Sequence, residues 1–60
     1  MKIEIKTGGA AFSDDGETLS YEGREEVRKI LKYIGTEVVD GVEKGTVNDI
    51  NGNKCCTWEI

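Results

Sequence analysis

Gly45-Thr46-Val47-Asn48-Asp49-Ile50-Asn51-Gly52-Asn53-Lys54-Cys55-Cys56-Thr57-Trp58-Glu59-Ile60 decides how this chain folds, because Asn51-Gly52 divides it into two segments of strand composition. Asn-Gly is the strongest short signal for a two-residue type I′ hairpin turn, whose central residues both take positive φ. Such a turn sets the register. Ile50 stands opposite Asn53, Asp49 opposite Lys54, Asn48 opposite Cys55, Val47 opposite Cys56, Thr46 opposite Thr57 and Gly45 opposite Trp58. Alternation then puts Val47, Cys56, Trp58 and Ile60 on a core face, with Asp49 and Lys54 as an opposite-charge pair at the turn end. Thr46, Asn48, Cys55, Thr57 and Glu59 fall on the outer face. Gly45 leaves room for the Trp58 indole to cover bare backbone.

Working back from the hairpin, Val27, Ile30, Leu31, Ile34 and Val38 recur at i, i+3, i+4, i+7 and i+11, the stripe of an amphipathic helix. Its expected span is 21–40, with Ser20 as N-cap, Gly23 in place of the capping-box acid, and Gly41 just past the end. Glu22, Glu25 and Glu26 precede Arg28, Lys29 and Lys32, an order that suits the helix dipole, and Glu25 with Lys29 makes an i,i+4 pair. Met1 to Lys6 alternates as a half-buried strand with Ile3 and Ile5 inward. Thr7-Gly8-Gly9 breaks it. Ala10-Ala11-Phe12 is then either a short return strand or an irregular segment that inserts Phe12 as a plug, the reading we favour, and 13–20 is a solvated loop. The order β-α-β-β predicts one domain over residues 1–60, an α+β fold with one helix on a three-stranded antiparallel sheet. The C-terminal strand is expected in the middle, with the first strand antiparallel beside it; the alternative sets the first strand parallel to the second.

A chain of 60 residues buries only about 60% of its unfolded surface, so oligomerisation is one expected source of stability. The two cysteines are adjacent and point to opposite faces of a regular strand, which predicts free thiols and a reducing compartment. With no histidine and no second cysteine pair, the chain lacks the roughly four ligands of a zinc site, and no cofactor is expected. No apolar run suits a membrane span, and the alternating start is unlike a signal peptide, so a cytoplasmic protein without a membrane partner is expected. The net charge is −4, which argues against autonomous nucleic-acid binding. The acidity is local: residues 14–26 hold six acids against Arg24 alone, net −5, while 27–60 balance.

Asp49-Ile50-Asn51-Gly52-Asn53 has the spacing that opens an EF-hand calcium loop, but Lys54 stands where glycine is required and Ile60 where the bidentate glutamate belongs. A plain hairpin accounts for these residues. No histidine, nucleophile motif or pocketed carboxylate pair supports catalysis, so the expectation is a non-enzyme. Two binding surfaces remain. The first is acidic, formed by Asp14, Asp15, Glu17, Glu22, Glu25 and Glu26, and suits a basic host protein whose nucleic-acid channel would accept carboxylates as phosphate mimics. The second is the outer sheet face, with Thr46, Asn48, Thr57, Glu59, Lys2, Glu4 and Lys6, flat enough to dimerise or take a ligand. Within the hairpin, Asn48, Asn53, Lys54 and Trp58 are the alternative ligand-binding set.

Gly45 to Lys54, closing on Trp58-Glu59-Ile60, resembles small uncharacterised proteins of phages and prophages of Firmicutes, which end in a G-T-x-x-D-I-N-G-N-x-x-G-x-W-E-I pattern. Those proteins also carry an A-A-F element like Ala10-Ala11-Phe12 after a first strand, and then an amphipathic helix. This chain departs at Cys55-Cys56, where Val-Gly is more usual, and in a longer loop before the helix. The resemblance implies a mobile-element gene with no established activity. Three functions fit that setting: an inhibitor of an anti-phage defence acting by protein contacts, an oligomeric sponge for a nucleotide immune signal, or a structural or regulatory phage component.

Overall fold

In the computed structural model, which describes residues 1–13, 15 and 18–60, the chain runs β1 (Lys2–Ile5), α1 (Tyr21–Val39), β2 (Lys44–Asn48) and β3 (Lys54–Glu59). The sheet is antiparallel in the order β1-β3-β2. The hairpin strand therefore lies at the centre, with β1 antiparallel to it, as its apolar face predicts. This is an α+β fold of one helix and three strands. Phe12, Ile30, Ile34, Cys55, Cys56 and Trp58 form a single buried cluster, flanked by half-buried side chains that include Ile5, Val27, Val38 and Val47. Of the helical stripe, Leu31 is exposed and Val27 and Val38 are half-buried.

Ser20 caps α1 by accepting from the Gly23 N–H at 3.0 Å. At the other end Gly41 takes φ +90°. Its N–H donates to the Val38 carbonyl and that of Val42 to the Glu37 carbonyl, the two bonds of a Schellman termination. Glu25 meets Arg28 across three residues at 3.9 Å, instead of the expected Lys29. Residues 10–12 belong to no strand: Phe12 is fully buried, and the Gly9 carbonyl accepts from both the Phe12 and Ser13 N–H groups. The plug reading holds, and a bridge between Ser13 and Leu19 closes the segment.

The turn differs from the expected type I′. Among the described residues no non-glycine has positive φ, whereas Gly52 has φ +83°. Gly52 N–H donates to the Asp49 carbonyl and Asp49 N–H to that of Asn53, so the loop has three residues, a β-turn closed by a left-handed glycine. The longer loop moves Asn48 opposite Lys54, and a bulge between Val47 and Asn48 restores Val47 opposite Cys56, Thr46 opposite Thr57 and Gly45 opposite Trp58. The Asp49/Lys54 pair is accordingly absent from the register. Cys55, expected on the outer face, is the additional residue at the bulge and turns inward: Cys55 and Cys56 are 5% and 2% exposed. Ile60, expected in the core, is 61% exposed. It lies one residue past β3, where its N–H donates to the Glu43 carbonyl, and falls outside the core cluster.

Candidate functional site

Helix propensity and capping place the acidic residues. Ser20 starts the helix, so Glu22 falls in its first turn, where the unpaired N–H groups favour negative charge, and Glu25 and Glu26 follow in the second. The segment before it is drawn in by Phe12, whose carbonyl accepts from the Ser20 N–H at 2.9 Å and from the Ser20 hydroxyl at 3.3 Å. Asp15 is exposed, with Oδ1 accepting from the Ser13 hydroxyl and the Thr18 N–H, both at 2.9 Å. Glu22 is exposed, while Glu25 and Glu26 are half-buried. Asp14 and Glu17 lie outside the described residues. The helix thus supplies three of the acids at fixed spacing, and Asp15 precedes them in a segment tied to the helix cap.

The ligand-binding set is only partly assembled. Asn48 faces Lys54, and Asn53 is next in the chain; all three are exposed. Trp58 is four residues further along β3, 4% exposed, and part of the core cluster. Its indole occupies the space over Gly45, where a Cβ would approach Nε1 to 2.9 Å, so it offers no free ring face for stacking. Asp49 spends its carboxylate within the loop, Oδ1 accepting from the Asn51 and Asn53 N–H groups at 2.9 Å each. Among the described residues no group of three or more acids or cysteines could hold a metal.

On the sheet face away from the core, a shallow depression of about 350 Å³ is lined by residues that include Lys2, Glu4, Lys44, Thr46, Thr57 and Glu59. A smaller hollow of about 210 Å³ toward the hairpin turn adds Lys6 and Lys54. This face therefore presents four lysines against Glu4 and Glu59. Lys44 was missing from the outer face as read from sequence, although it shares the alternation of Thr46 and Asn48.

The thiols are poor candidates for nucleophiles. Burial pushes both upward from their ordinary range, and the nearby charges of Asp49 and Glu26 add to the shift at Cys55. The protonated form is thus favoured. The exposed Tyr33 hydroxyl is raised chiefly by its hydrogen bond to Glu37, with the Glu37 charge adding to it. Both cysteines are free; Cys55 Sγ contacts the Val47 carbonyl at 3.5 Å.

Among the described residues no helix is long and apolar enough to cross a membrane. No protein-family model, curated protein or solved structure matches the chain.

Proposed function

We propose that this is a small non-catalytic protein that works by binding another protein through its acidic side, Asp15, Glu22, Glu25 and Glu26, in a stretch of sequence that also holds Asp14 and Glu17. The supporting observation is the division of charge in the fold. The acids gather on the start of α1 and the segment before it, while the sheet face that carries no core is rich in lysine. A basic protein surface complements the first of these, and rim charges of this kind steer association and set its salt dependence. The resemblance to phage proteins makes a host defence factor with a basic nucleic-acid channel the first partner to test. A cytoplasmic site of action in a bacterial host belongs to the same reading.

The test is capture of a partner from bacterial lysate, identified by mass spectrometry and repeated with Asp15→Lys and Glu22→Lys in one chain. Loss of capture, with helicity retained by circular dichroism, is the expected result. Capture that is indifferent to these reversals and to added salt would remove the proposal. Burial of Trp58 counts against a nucleotide sponge built on that ring.

A further inference from the structure

β1 is an edge strand, hydrogen-bonded to β3 and to no other strand of the sheet. The Lys6 N–H donates to the Cys55 carbonyl at 2.8 Å. Along an antiparallel strand the backbone groups of successive residues point alternately to the two sides. Lys2 and Glu4 therefore share the inward direction of Lys6, and Ile3 and Ile5 turn their N–H and C=O groups to the open edge. Ile3 pairs with Trp58 and so lies on the core side of the sheet, yet it is 38% exposed. Met1, two residues before Ile3, and Ile60, two after Trp58, fall on the same side by alternation and are also exposed. An apolar strip thus runs beside an unpaired backbone edge that carries neither a bulge nor a proline.

We propose that this edge pairs with β1 of a second copy of the chain, antiparallel about a two-fold axis at Ile3, to make a continuous six-stranded sheet. The side chains select the register. With Ile3 opposite Ile3 of the second copy, Lys2 meets Glu4 and Glu4 meets Lys2, so both charged pairs are favourable. Met1 then meets Ile5, and the apolar strips of the two copies join on one face. The residues opposite one another at the axis are those whose backbone groups point outward, as an isologous antiparallel contact requires. Sliding by two residues sets Lys2 against Lys6 and Glu4 against Glu4. Sliding by two more pairs Glu4 with Lys6 but sets Ile3 against Thr7 and Met1 against Gly9, both beyond the end of β1. Parallel pairing in register opposes like charges throughout. The other edge, β2, has no such self-complementary charge pattern: its outward residues are Lys44, Thr46 and Asn48. A chain of this size also gains most from burying surface against a copy of itself.

Sedimentation equilibrium over a concentration series tests the pairing with three variants: Lys2→Glu, Glu4→Lys and the double exchange. Each single variant opposes like charges at both pairs and is expected to weaken dimerisation by about tenfold or more. The double exchange restores it, and an equimolar mixture of the two single variants forms a heterodimer. The mixture is the decisive arm, because Lys2 also stands opposite Glu59 in its own sheet, a change that mixing cannot repair. Circular dichroism confirms that each variant is folded. A wild-type chain that stays monomeric at every concentration overturns the proposal. So does a dimer indifferent to both single exchanges, or a mixture that fails to associate.

Discussion

The main chain of Phe12 lies directly against Gly23: a Cβ at Gly23 would approach the Phe12 carbonyl carbon to 2.6 Å and its oxygen more closely still. The same carbonyl oxygen accepts from Ser20, whose hydroxyl oxygen accepts from the Gly23 N–H. Helix cap, plug and glycine are therefore one joint. It holds Phe12 in the core and places the acids of the first helical turns.

Gly23→Ala is expected to destabilise the fold by about 2 kcal/mol or more. The clash is with backbone, which cannot swing aside, and overpacking of this kind outweighs the roughly 1 kcal/mol that alanine gains in helix propensity. Gly35→Ala is the control. It is exposed in the same helix, a Cβ there meets nothing within 4 Å, and the propensity gain should stabilise by about 0.5–1 kcal/mol. Urea unfolding of the two variants should move in opposite directions, and equal shifts would show that Gly23 has no special contact.

Gly45→Ala is expected to cost about 1–2 kcal/mol, because the new methyl would stand 2.9 Å from Trp58 Nε1 and the indole is packed among core side chains. The readout is tryptophan emission, which should shift to the red as the ring is pushed toward water. Unchanged emission together with unchanged stability would mean that the ring does not rest on Gly45.

The hairpin loop offers a local test. Asp49→Ala removes the acceptor of two backbone N–H groups and is expected to cost about 1 kcal/mol, as loss of a helix cap does. Gly52→Ala is expected to cost a similar amount, since φ there is +83° and a side chain in the left-handed region is penalised by about 1–2 kcal/mol. Asn51→Ala should be close to neutral, because Asn51 is not left-handed; a type I′ turn would instead make it costly. Urea midpoints of the three variants distinguish the two turns.

Both thiols have native pKa values raised above the ordinary 9.0, by burial first. The native state then holds these protons more tightly than the unfolded chain does. Their contribution is whole below the unfolded pKa and is lost as pH rises through the native value. Stability should accordingly decline with pH in the alkaline range above about pH 9, and a chain with Cys55→Ala and Cys56→Ala should decline less steeply. Native alkylation by iodoacetamide at neutral pH should be slow, accelerating in urea. Rapid native labelling of both cysteines would contradict their burial.

Local chemistry determined much of this protein without reference to the tertiary structure. The apolar stripe from Val27 to Val38 specifies α1, Ser20 and Gly41 bound it through capping bonds to nearby backbone, and the density of apolar residues on β3 places that strand at the centre. Each of these is set by neighbours a few residues apart, where spacing alone is informative. What only the tertiary structure decided involves parity or distance. Asn51-Gly52 fits a two-residue turn and equally a three-residue loop in which the glycine alone is left-handed, and one additional residue reverses which side every later side chain faces. The bulge that absorbs that residue brings Cys55 in beside Cys56, a result that strict alternation forbids. Ile60 keeps the parity of the core face but lies beyond the core cluster, so pattern alone assigns it a burial that packing does not supply. Gly23 reads from sequence only as the residue that stands in place of a capping-box acid; it is required because the Phe12 backbone, eleven residues away, crosses at that point and leaves no space for a side chain.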